Sequence, residues 1–396
     1  MQSKNNIFLY FISFLIIIGP FLNLIHLFLP INILGKSLWT VGPAIIYFII
    51  FFLNINKITI KLIMTFLLFI LIFFILYIRS NYYLENRSYF DFRFFVTIPM
   101  YLFLAKNLKF KFYNFDKIIS YSLFLQGFLA SIFFIINVQF FSNVLISIDE
   151  FGDSFVNTDG DRTRSMLLSA SISANMILIG MFTLLYIYEK SIIRINFFLL
   201  IFALIIMIYA IMLSGSRFPQ IIGLLILIYC FSKVSTFKMI ISFLFISILS
   251  TLYFSFFQFD AIFRFNEDTG GRFDKILLPI QLLLQNPTGF LIGVSSDIAG
   301  NAISDNGVGI SDNSYFLVIL LSGILISIFY FTLIFSFINF KNKFLIYKIY
   351  VIYFILSFGV TNCILWEMWV SASVFAIILL NNKSKSDLNF ITKQYA

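Results

Sequence analysis

Apolar residues in this chain gather in long unbroken runs separated by short polar or charged connections. A run of about 18 or more such residues is long enough to cross a hydrocarbon layer of about 30 Å as a helix. The pattern predicts twelve spans, at about 7–29, 37–53, 60–78, 90–105, 118–140, 166–187, 195–213, 218–231, 237–257, 314–337, 346–361 and 364–380. The fourth carries the weakest signal because it opens on Asp91 and Arg93. The first follows Lys4 as a signal peptide would, yet it is too long and has no small-x-small cleavage site, so it reads as a retained span. The expected fold is an all-α polytopic integral membrane protein: one membrane domain over 1–396 with about 12 transmembrane helices, no visible repeat and no appended soluble domain.

Composition sharpens this reading by excluding the alternative. With 61% hydrophobic residues, 11% charged residues and 56 Phe, the chain has too little polar surface for a soluble globular protein.

The connections alternate in charge and so predict an orientation. If the N-terminus is cytoplasmic, the inside segments hold Lys4, Lys57, Lys61, Lys106, Lys109, Lys111, Lys117, Lys190, Arg194, Lys233, Lys238, Lys341, Lys343, Lys348, Lys383, Lys385 and Lys393. Only Asp116, Glu189 and Asp387 oppose them, as the positive-inside rule requires, and the C-terminus is then cytoplasmic too. The outside segments behave differently. Their cations are mostly arginine: Arg79, Arg87, Arg93, Arg162, Arg164, Arg217, Arg264 and Arg272. A codon bias toward lysine would act on both sides, so the retained guanidinium groups point to bidentate recognition of phosphate or carboxylate.

Two outside loops are long enough to hold a site. One covers about 141–165; the other covers about 258–313 and includes an apolar segment at 273–285, too short to span, that reads as amphipathic or re-entrant. Metal chemistry is not expected, because His26 is the only histidine and Cys230 and Cys363 form no CxxC pair. No cofactor and no nucleic-acid partner is indicated.

Four short stretches carry candidate chemistry. DGDRTRS (159–165) sets Arg162 and Arg164 just before a span, where they either bind an anion or simply flank the membrane. SGSRFP (214–219) joins two spans with almost no loop. Pro219 suits a first helical turn, Phe218 before it is expected to leave helical geometry, and Arg217 either snorkels or holds a phosphate beside the helix start. EDTGGRFDKI (267–276) places Arg272 after a glycine pair that makes a turn or lets backbone approach a ligand; Arg264, between Phe263 and Phe265, is a secondary candidate. SDNSYFLVILLSGI (311–324) puts Asp312 at a span start, as helix cap or as general base. Glu367, between Trp366 and Trp369, is a weaker candidate at interfacial depth.

Taken in order, these stretches resemble the bacterial O-antigen polymerase and ligase superfamily over roughly residues 155–330. LSGSR (213–217) is similar to its Ser-Arg at the outer end of a span, and Arg162 and Arg164 before SMLLSASISAN (165–175) to its arginine-led span start. GGRF (270–273) with NPTGFLIGVSS (286–296) is similar to the arginine, short helix and glycine-containing segment of its large external loop. DNSYFLVILLSGILISI (312–328) is similar to its polar pair opening a span that soon contains glycine. The chain departs in having Phe218 where glycine usually follows the Ser-Arg, and Asp312 where the ligase branch carries histidine. The second departure favours the polymerase branch.

The resemblance implies a metal-independent glycosyltransferase of the bacterial inner membrane, with its active site on the periplasmic or external side. It would move a glycan from polyprenyl pyrophosphate to the non-reducing end of another lipid-linked repeat unit, making O-antigen, capsule or exopolysaccharide. On this reading Arg162, Arg164, Arg217, Arg264 and Arg272 bind the pyrophosphate or glycan, and Asp312 is the base, with Glu150 and Asp268 as alternatives. Implied partners are the lipid-linked oligosaccharide, membrane lipids, a chain-length regulator protein and a flippase. The rival functions are a ligase that joins glycan to a lipid core and a lipid-linked oligosaccharide flippase, the latter expected to carry charges within its spans.

Overall fold

The computed structural model describes residues 6–21, 32–33, 36–53, 60–83, 88–140, 170–214, 216–232, 281, 284–285, 287–294, 314–360 and 367–381. In chain order the α-helices are α1 (Asn6–Ile18), α2 (Leu38–Leu53), α3 (Ile60–Tyr83), α4 (Ser88–Lys111), α5 (Phe115–Phe140) and α6 (Ala170–Glu189), then α7 (Phe197–Leu213), α8 (Arg217–Ser232), α9 (Pro287–Ile292), α10 (Ser314–Phe335), α11 (Leu345–Val360) and α12 (Glu367–Leu380). Two antiparallel two-residue strands, Asn32–Ile33 and Lys36–Ser37, pair Asn32 with Ser37 and Ile33 with Lys36.

Among the described residues, four stretches are long and apolar enough to cross a membrane: Ile60–Ile78, Phe115–Ile136, Ile172–Glu189 and Val318–Phe335. Shorter apolar helices accompany them at Ile7–Phe21, Phe197–Leu213, Phe218–Phe231, Leu345–Gly359 and Trp369–Leu380. The protein is therefore helical and membrane-embedded. The predicted span at 237–257 lies outside the described residues. So does the later part of the first predicted span: α1 gives way at Gly19–Phe21 to a 3-10 turn, where Pro20 brings no N–H to continue the helix.

The chain divides into two compact units. The first holds Met1–Leu9, Ala44–Asp116 and Asp268–Ala396. At its centre α12 packs along α4, and α4 along α3. Val374, Phe375, Ala376 and Ile377 of α12 are all buried, as befits a helix apolar on every side. By contrast α3 is buried along only a third of its length and exposes Leu67, Ile70, Leu71, Phe73 and Phe74. Such a stripe would be unstable in water and suits contact with acyl chains.

The second unit holds Tyr10–Pro43 and Lys117–Glu267. Its most buried helix is α6, packed against α7 and α8. Gly127 of α5 and Gly180 of α6 let two backbones touch: a Cβ built on Gly127 would lie 2.7 Å from the Cα of Gly180. Helices in membranes associate through such small residues because lipid supplies no hydrophobic drive between them.

Candidate functional site

The irregular backbone of the first unit begins with two glycines. Pro287 opens α9 at the position where a missing N–H costs nothing. Gly293 ends that helix in a left-handed conformation (φ 84°) and its N–H donates to Gly289 O at 2.8 Å. In α10, predicted as one continuous span, Gly323 adopts φ 77° and ψ 169° and breaks the helix. The two irregular points meet. A Cβ on Gly323 would lie 2.1 Å from Leu291 O, and one on Gly293 would lie 2.6 Å from Leu321 O, so only glycine fits at either place.

A broken helix frees backbone carbonyls that hydrocarbon cannot hydrate. Three local donors answer this. Val294 N–H donates to Leu320 O at 2.7 Å, Ser322 Oγ to Val318 O at 2.8 Å, and Ser327 Oγ to Gly323 O at 2.7 Å. The two serine hydroxyls also lie 3.2 Å apart. Tyr315 Oη donates to Ile355 O at 2.8 Å, tying the first half of α10 to α11.

The predicted anion-binding residues divide between described and undescribed positions. Arg217 is the first residue of α8, and only its main chain is described. Arg162, Arg164, Arg264, Arg272 and Asp312 lie outside the described residues, as do Glu150 and Asp268. The described residue that follows Asp312 most closely is Ser314, buried at the start of α10.

Around Arg217 the turn is locked by its small residues. Ser214 Oγ donates to Ile211 O at 2.6 Å and accepts from Ser216 N–H at 3.2 Å. Ser216 O accepts the first intrahelical bond of α8, from Gln220 N–H at 3.2 Å, which makes Ser216 its N-cap. Gln220 Nε2 donates back to Met212 O at 3.3 Å. Phe218, expected to leave helical geometry, is helical. Pro219 sits in the first turn, where the residue that its ring would clash with precedes the helix, so α8 starts two residues before the proline.

The described residues thus bring Gly293 of NPTGFLIGVSS (286–296) against Gly323 of SDNSYFLVILLSGI (311–324), within the first unit. SGSRFP belongs to the second unit.

One cluster carries only an orientation signal in the sequence. Lys61, Lys106, Lys109 and Lys111 line a cavity of about 850 Å³ in the first unit, together with Asp116 and Phe337. Lys61 Nζ donates to Ser336 O at 2.6 Å, just past the end of α10. Lys109 Nζ donates to Ile378 O and, at 3.3 Å, to Leu379 O, the last carbonyls of α12. These are helix-end acceptors without intrahelical donors. Asp116 Oδ1 lies 3.9 Å from Lys109 Nζ. Burial lowers the Lys109 ammonium to about 8, and the Asp116 charge only partly opposes that shift. The crowding of Lys106, Lys109, Lys111 and Lys117 between two apolar runs was the only sequence signal for this cavity.

Among the described residues, no group of three or more His, Cys, Asp or Glu side chains is placed to hold a metal ion. The chain matches no family model, no curated protein and no solved structure.

Proposed function

We propose that this protein is an oligosaccharide repeat-unit polymerase acting on polyprenyl-pyrophosphate-linked glycans. The observation that carries the reading is the break in α10 at Gly323, closed by Gly293. Irregular backbone at membrane depth is kept where it is buried in protein or lines a polar site. The helix bearing this break starts two residues after Asp312, and the predicted loop containing Gly293 also carries Arg264 and Arg272. The arginine bias of the predicted outside segments supports the same reading.

In the proposed reaction a hydroxyl of the acceptor repeat unit attacks the anomeric carbon of the donor glycan. The bond from that carbon to the pyrophosphate oxygen breaks, and the polyprenyl pyrophosphate leaves with the electron pair. Arg162, Arg164, Arg217, Arg264 and Arg272 supply fixed positive charge to the leaving group, and Asp312 takes the hydroxyl proton. This reading includes about twelve spans, both termini in the cytoplasm, and an inner-membrane enzyme working on the outer face with a flippase and a chain-length regulator.

A second reading, transport of the lipid-linked oligosaccharide, is favoured by one observation: discontinuous helices are a hallmark of transporter binding sites. A ligase is the third. Deleting the gene and resolving surface glycan on a gel separates them. A single repeat attached to lipid supports the polymerase, loss of all attached glycan supports the ligase, and build-up of lipid-linked repeats inside the cell supports transport.

A further inference from the structure

We propose that the lysine-lined cavity of the first unit binds a phosphate-bearing anion. The bland account of these lysines is that they fix topology and cap helix ends. It covers Lys61 and Lys109, whose ammonium groups reach the carbonyls at the ends of α10 and α12. It does not cover the charge. Among the described lining residues, four lysines face one aspartate, a marked excess of positive charge when all are ionised. The capping carbonyls are neutral and cancel none of it. Lys61 and Lys106 both approach the face of Phe337, at 4.9 and 5.8 Å from its centroid, so two of the positive charges share one ring. The Lys106 charge repels that of Lys61, and a di- or trianion is the ligand that relieves the repulsion.

The dimensions and rim fit a phosphoryl group. A cavity of about 850 Å³ has room for a phosphodiester or pyrophosphate with part of its carrier. Phe110 and Tyr113, which also line it, are exposed, an amphipathic rim of the kind found at headgroup depth. Basic pockets between membrane helices on the cytoplasmic side are suited to acidic headgroups. The phosphate comes either from an anionic membrane lipid or from a soluble phosphate compound. The inference does not rest on polymerase activity, only on the cavity and its charge.

The test uses the full chain in nanodiscs of phosphatidylcholine with or without phosphatidylglycerol, and separately in neutral detergent with inorganic pyrophosphate. Bound lipid is read by native mass spectrometry and pyrophosphate by calorimetry. Lys106→Gln and Lys111→Gln avoid the two helix-capping lysines, and each should weaken binding about fivefold. Lys341→Gln with Lys343→Gln, outside the cavity, should leave it unchanged. Retention of phosphatidylglycerol without pyrophosphate binding assigns the lipid source; pyrophosphate binding without acidic lipid assigns the soluble one. Amine-reactive labelling of wild-type protein provides a reading independent of the variants: Lys106 and Lys111 should be protected by the bound anion. The proposal is overturned if neither anion binds, if the Lys341 and Lys343 double variant loses as much affinity, or if the anion protects neither lysine.

Discussion

Gly293 and Gly323 occupy each other's missing side chains: a Cβ on either would lie within 2.6 Å of main-chain oxygen from the segment next to the other. Both have positive φ, and Gly323, at φ 77° and ψ 169°, lies in a region that is essentially closed to other residues. Gly323→Ala should therefore destabilise the protein by on the order of 3 kcal/mol or more, combining backbone strain with overlap against Leu291 O. Gly359→Ala, where a Cβ would meet only the Tyr315 ring at 3.8 Å, serves as the control and should change the melting temperature little. Because both glycines guard one contact, the Gly293→Ala and Gly323→Ala double variant should cost less than the sum of the single variants. Thermal unfolding in detergent measures all four variants, and an additive double variant would show that the two positions act independently.

Gln126 offers the opposite sign. It is buried in α5, and neither its amide nitrogen nor its amide oxygen has a hydrogen-bond partner among the described residues. A buried unsatisfied polar group costs about 1–3 kcal/mol. Gln126→Met, similar in shape, should raise the melting temperature. If it lowers stability instead, the amide is satisfied in the membrane by a group outside the described residues.

Lys109 makes stability depend on pH. Its partners are Asp116, the end of α12, and the neighbouring charges of Lys61, Lys106 and Lys111. Its folded value, about 8, lies below the ordinary 10.5, so the unfolded chain binds this proton more tightly. Below pH 8 both states are charged and burial costs its full amount. As pH rises from 8 toward 10.5 the folded state releases the proton first, and stability increases. The contribution is read as the difference between wild type and Lys109→Gln across that range, which removes the effect of other titrating groups. A difference that stays flat from pH 7 to 11 would contradict it. Phosphate in the cavity should raise Lys109 again and move the rise to higher pH.

Arg217 separates charge from geometry. If its guanidinium grips a phosphate bidentately, Arg217→Lys should abolish most of the proposed polymerisation, as Arg217→Ala should, while the protein inserts and unfolds normally. Full polymerisation by Arg217→Lys would sink the bidentate role and leave only a requirement for positive charge.

Much of the helical framework was legible in the sequence because apolar runs encode membrane helices directly. The helices at 38–53, 60–83 and 115–140 fall where the runs predicted them. The break at Gly323 was not legible. A lone glycine in an apolar run is usually a packing choice, and nothing local shows that Leu291 approaches from elsewhere in the chain. Pro219 misled in a simpler way: its effect on Phe218 depends on how many helical residues precede it, which the local sequence leaves open. The lysine cavity was hidden because Lys61 lies far in sequence from Lys106, Lys109 and Lys111, and all four read equally well as topology signals. The proposed arginine ligands are marked in the sequence only by residue type and motif order, and most of them lie outside the described residues.

The central claim is chemical, and its most direct measurement is reconstitution. The purified full chain in liposomes, given a synthetic polyprenyl-pyrophosphate-linked repeat unit and no metal, should convert it into a ladder of longer lipid-linked glycans with release of polyprenyl pyrophosphate. Asp312→Asn and Arg217→Ala should each abolish the ladder. A substrate that remains a single repeat with wild-type protein, while crossing the bilayer or not, would contradict the polymerase account.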